Sequence, residues 1–136
     1  MVAEELMTRD PMTATPDTRL GEAIQQMREL DVRHLPIVQG DELIGMISDR
    51  DLRGVSFVDV LEDSDLTALR RRLDGAVSEV MNADLLQVTE ETEVAEIVEL
   101  MLEHRVGAVP VVESGSNVLK GIVSYIDVLR AAAEVL

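Results

Sequence analysis

Two stretches of this chain carry the same rhythm of apolar and polar positions. In the first, Leu20, Ala23, Ile24, Met27 and Leu30 recur at the spacing of one helix face; in the second, Val94, Ile97, Val98, Met101 and Leu102 do so. Each predicts an amphipathic helix with a single face to bury. Thr18 and Thr92 stand just ahead, where a hydroxyl can accept from the first free backbone amides, and are read as N-caps. After each helix comes an apolar run, HLPIV or AVPVV, then a polar turn with glycine, QGDE or ESGSN. A second run follows, LIGMIS or LKGIVS, and two such runs around such a turn predict a β-hairpin. Ser48 and Ser124 then open a further helix. With a short extended segment ahead of the first helix, MTATP or LLQVT, each half reads β-α-β-β-α, an α+β pattern.

The halves agree in residues as well as in rhythm. An offset of 74 pairs Met7 with Met81, Thr15 with Thr89, Thr18 with Thr92, Met27 with Met101 and Pro36 with Pro110. After a two-residue insertion, Gly45, Ser48 and Asp51 match Gly121, Ser124 and Asp127. The chain is therefore an internal repeat: residues 1–55, a linker at 56–76, and residues 77–136. In the linker, Ser64 is placed as the N-cap of a short helix from Asp65 to Leu73, ended near Gly75. Its basic run, Arg70 to Arg72, reads as a solvated face beside Glu62, Asp63 and Asp65. A single half of roughly 60 residues buries too little surface to stand alone, so the two are expected to share their apolar faces.

Composition narrows the chemistry. Twelve basic residues stand against 27 acidic ones, a net charge of −15, which disfavours nucleic acid and anionic membrane as partners. Phe57 and Tyr125 are the aromatic residues, so the core must be aliphatic and methionine-rich. With no cysteine and only His34 and His104, disulfides are excluded and zinc sites are disfavoured. No apolar run approaches a membrane span, and the acidic start, MVAEELMTRDPM, lacks a leader's basic and apolar regions; the expected setting is cytoplasmic. No nucleophile is paired with a base, no metal-ligand spacing occurs and no glycine-rich phosphate loop is present, so the chain is read as a non-enzyme.

With repeat, order and motif assembled, the chain resembles the CBS-domain family, specifically a tandem pair, or Bateman module. The carrying residues are VRHLPIV and RVGAVPVV, each followed by a hairpin and then by GMISDRDL or GIVSYIDVL, with Met7 and Met81 opening the units. The resemblance implies two repeats packed with pseudo-twofold symmetry, clefts that take AMP, ADP, ATP or S-adenosylmethionine, and a homodimer acting on an effector elsewhere. It implies no required cofactor; Mg2+ can accompany ATP, although no residue set here demands it. The first cleft would draw on Thr15, Pro16, Arg33, His34, Leu35, Pro36, Ser48, Arg50 and Asp51. The second would draw on Thr89, Gly107, Ala108, Val109, Pro110, Ser124 and Asp127.

The repeated Ser-x-x-Asp supports two readings. Serine followed three residues later by an acid resembles a capping box, which is architecture. The same carboxylate can accept from the two hydroxyls of a ribose, while the helix N-terminus holds a phosphate. Where the first copy has Arg33, His34 and Arg50, the second has Gly107, Ala108 and Ile126, so the first is expected to bear the phosphate. Against an adenosine-sensing module stands a structural dimerisation unit with vestigial clefts.

Overall fold

The two helices expected from apolar spacing are present as α2 (Leu20–Leu30) and α5 (Val94–His104) in a computed structural model that describes residues 1–52 and 66–136. Around them, in chain order, lie α1 (Ala3–Leu6), β1 (Thr8–Arg9), β2 (His34–Gln39), β3 (Glu42–Ser48), the start of α3 (49–52) and α4 (Leu66–Asp74). A 3-10 turn (Val77–Glu79), β4 (Val88–Thr89), β5 (Ala108–Val112), β6 (Leu119–Ser124) and α6 (Tyr125–Val135) complete them. This is the α+β arrangement of two β-α-β-β-α repeats that the sequence predicts. The linker helix ends at Asp74, one residue past the expected Leu73, and Phe57, Glu62, Asp63, Ser64 and Asp65 lie outside the described residues.

Packing divides the chain differently from the repeat. One compact unit comprises Met1–Pro11, Gly40–Leu43 and Leu86–Leu136; the other comprises Met12–Gln39 and Ile44–Leu85. In the first unit the sheet order is β1-β6-β5-β4, with β4 parallel to β5 and the other neighbours antiparallel. Its core is Ala3, Met7, Val88, Ile97, Met101, Val109, Val111 and Val123. In the second, β2 and β3 form a hairpin, and Ala14 joins Ile37 by a parallel bridge where the first unit has β4. Its core is Ala14, Leu20, Ala23, Met27, Leu35, Ile37, Ile47, Leu52 and Val77. Both hairpin turns place glycine in the left-handed region, Gly40 at φ 65° and Gly115 at φ 85°, where a side chain would be strained.

Each unit borrows the opening segment of the other repeat. In the first unit Thr8 and Arg9 pair with Ile122 and Gly121, and Met7 lies on Gly121. In the second, Met46 bridges Asn82, and Met81 lies on Gly45. This explains the repeated glycine. A Cβ at Gly121 would lie 2.7 Å from both Met7 Sδ and Thr8 O, and one at Gly45 would lie 2.5 Å from Met81 Sδ.

The borrowed segments also overturn one expectation. Thr18 and Thr92 are not N-caps; Arg19 and Glu93 hold those positions without a side-chain cap. The first helical amides go instead to carbonyls: Leu20 N–H donates to Gly75 O at 2.8 Å, and Val94 N–H to Met1 O at 2.9 Å. A carbonyl fixed by tertiary packing replaces the hydroxyl. Freed from capping, Thr18 Oγ1 accepts from Thr15 N–H, and Thr92 Oγ1 from Thr89 N–H, both at 3.1 Å.

Candidate functional site

The Ser-x-x-Asp motifs sit where a β-hairpin hands over to a helix. At the first, Ser48 N–H and Oγ–H both donate to Asp51 Oδ2 at 2.9 Å, and Asp51 N–H returns a bond to Ser48 Oγ at 3.3 Å. At the second, Ser124 N–H and Oγ–H donate to Asp127 Oδ2 at 2.9 and 3.1 Å, and Asp127 N–H returns one at 3.3 Å. Both are complete capping boxes, so the architectural reading of the motif holds. The boxes use one carboxylate oxygen each. Among the described residues, Oδ1 of Asp51 and of Asp127 takes no hydrogen bond, which leaves an unused acceptor oxygen at each helix start.

In the second unit the structure brings Arg33 and His34 to this motif. Asp49 N–H donates to Arg33 O at 2.9 Å, tying the start of β2 to the start of α3. His34 is half-buried, whereas Arg33, Arg50 and Asp51 are exposed. Burial is the largest influence on the His34 ring and holds its pKa below the ordinary 6.5; Asp49 and Asp51 oppose this, and Arg33 adds to it. Asp49 is thus part of the site although sequence reasoning passed over it; its signal was its place two residues before Asp51.

The remaining residues separate into three groups. The side chains of Leu35, Pro36, Val109 and Pro110 are fully buried, so a ligand could meet them only through the backbone. In the first unit Ala108 pairs with Ser124, and Tyr125 N–H donates to Gly107 O at 2.9 Å, which reproduces the backbone of the first motif with smaller side chains. Thr15, Pro16 and Thr89 lie elsewhere. Thr89 pairs with Val112, at the opposite end of β5 from Ala108, a strand's length of ~13 Å away. Thr15 follows Ala14, whose N–H donates to Pro36 O at 3.0 Å and whose carbonyl accepts from Val38 N–H at 2.9 Å. A ligand touching these threonines and the Ser-x-x-Asp motif of the same unit must run the length of a strand.

Thr89 instead lines a hollow of about 610 Å3 in the first unit, with Glu42, Gln87, Glu113, Ser116 and Asn117. Two carboxylates face it, so it is a poor seat for phosphate. Among the described residues no group of three or more His, Cys, Asp or Glu could hold a metal ion, and no helix is long and apolar enough to cross a membrane.

Comparison with known proteins decides the family. The CBS domain matches residues 2–57 and again 77–134. The chain belongs to the CBS-domain family. Inosine-5'-monophosphate dehydrogenase of Methanocaldococcus jannaschii is 33% identical over 129 residues, 94% of this chain. This chain spans only 23% of the length of that dehydrogenase. The AcuB protein of Vibrio cholerae has the same CBS-pair fold, with a TM-score of 0.85 at 29% identity, covering 99% of this chain and 93% of that one. CBSX2, solved in complex with AMP, superposes with a TM-score of 0.82 at 25% identity, covering 98% of this chain and 97% of its own.

Proposed function

We propose that this chain is a regulatory module, not an enzyme, that binds an adenosine-containing nucleotide at its Ser-x-x-Asp motifs. It signals through a homodimer to an effector protein, in the cytoplasm. AMP, ADP, ATP and S-adenosylmethionine are the ligands considered, ATP with or without Mg2+. The observation that carries this reading is the first motif itself: among the described residues, an Asp51 oxygen with no hydrogen bond at a helix start, with Arg33, His34 and Arg50 close by. The carboxylate suits ribose hydroxyls, and the guanidinium groups of Arg33 and Arg50 suit phosphate. The likeness to CBSX2, which was solved with AMP, supports the same chemistry. The exposed apolar residues of α6, Tyr125, Ile126 and Leu129, support the homodimer; Leu129 is 59% exposed. A net charge of −15 argues against nucleic acid and anionic membrane.

The competing reading is a structural dimerisation unit. It draws on the capping boxes, which satisfy both motifs with no ligand. Titration calorimetry of the four ligands on the wild type, Asp51→Asn and Asp127→Asn separates the two. The nucleotide reading expects binding by the wild type and a loss of about tenfold or more in Asp51→Asn, the worth of a charge-assisted hydrogen bond. Silence from all four ligands would leave the motifs as helix caps.

A further inference from the structure

The difference between the two Ser-x-x-Asp motifs centres on one ring. His34 opens β2, half-buried, with Arg33 before it. The bond from Asp49 N–H to Arg33 O fixes it against the start of α3, which carries Asp49, Arg50 and Asp51. Three charged groups act on it: Arg33 from its own chain segment, and Asp49 and Asp51 from α3. Burial favours the neutral imidazole, against the pull of the two carboxylates. In the other unit the same backbone bond joins Tyr125 to Gly107, but Ala108 replaces His34, Tyr125 replaces Asp49 and Ile126 replaces Arg50. Ala108 and Ile126 carry no ionisable group, so the second motif has neither the imidazole nor the guanidinium of the first.

We infer that the first motif selects phosphorylated over unphosphorylated adenosine ligands by binding the phosphate together with a proton on His34. This rests on the reading of the motif as an adenosine site. A phosphate set against Arg33, Arg50 and His34 adds negative charge beside a ring that already faces two carboxylates. The balance held by burial then reverses, and the imidazole takes a proton from solvent, so that both ring nitrogens become donors. No bond is made or broken other than to that proton. Because the linkage is reciprocal, a lower pH tightens AMP, while adenosine, which brings no anion, binds without proton uptake. The site therefore reads nucleotide and acidity together.

The chain has two histidines, which makes the test direct. The ring signals of His34 and His104 are followed by NMR against pH in the full chain, alone, with AMP and with adenosine; His104, exposed at the end of α5, is the reference within the sample. AMP is expected to raise the titration midpoint of His34, and adenosine to leave it in place. Calorimetry of AMP on the wild type and His34→Gln supplies the second readout. Relative to the variant, which retains only the ligand's own titration, the wild type is expected to gain about threefold or more in affinity from pH 8 to pH 6. AMP bound with the His34 midpoint unmoved or lowered, or with equal pH dependence in both proteins, overturns the inference and leaves the adenosine site standing. Binding of neither AMP nor adenosine overturns both.

Discussion

At the scale of the residue, the serine and the aspartate of each motif hold one another, and what distinguishes the motifs is the company they keep. His34 makes that company measurable even without ligand. Its pKa is lowered in the folded chain, so the unfolded chain binds the proton more readily. Its contribution is therefore fully present above its ordinary value of 6.5 and is lost as pH falls below it. Urea unfolding at about pH 7.5 and about pH 5.5 should show the wild type losing more stability on acidification than His34→Gln; equal losses would mean that the ring is not held neutral by burial. The Ser-x-x-Asp pairs were legible in sequence because their partners are three residues apart. The role of Asp49 was not, because it depends on β2 and α3 meeting in space. Thr15 and Thr89 were placed in the clefts by the resemblance, but a linear motif does not reveal which end of a strand a residue will occupy.

The elements were largely readable because apolar spacing sets them: α2, α5 and both hairpins fall where the pattern placed them. What the pattern could not give is what covers each element. Gly45 and Gly121 were legible as matched positions of the repeat, but the groups that press on them come from far along the chain. Gly121→Ala should destabilise by about 3 kcal/mol, the upper end of overpacking costs, because Thr8 O is held by strand pairing with Ile122. Gly45→Ala should cost less, since the nearest atom there is the end of a flexible methionine and Asn82 O lies farther off, at 3.3 Å. Urea midpoints of the two variants check the order; a Gly45 variant as unstable as the Gly121 variant would contradict it. The missed N-caps have the same origin. Thr18 and Thr92 have the right chemistry, but Gly75 O and Met1 O arrive from segments a local reading cannot bring to those helices.

Across the whole molecule, the repeat is a unit of sequence, while the compact units are assembled from parts of both repeats. Opening segments 1–11 and 75–82 each pack into the unit built around the other repeat's helix and hairpin, which explains why neither half closes its core alone. Such a molecule presents two closely similar motifs in different chemical surroundings, and an adenosine module can use them unequally. The measurement that tests this most directly is a crystal structure of the chain grown with AMP. The account predicts AMP at Ser48 and Asp51, its ribose hydroxyls on the Asp51 carboxylate and its phosphate toward Arg33 and His34. AMP found only at Ser124 and Asp127 would contradict it.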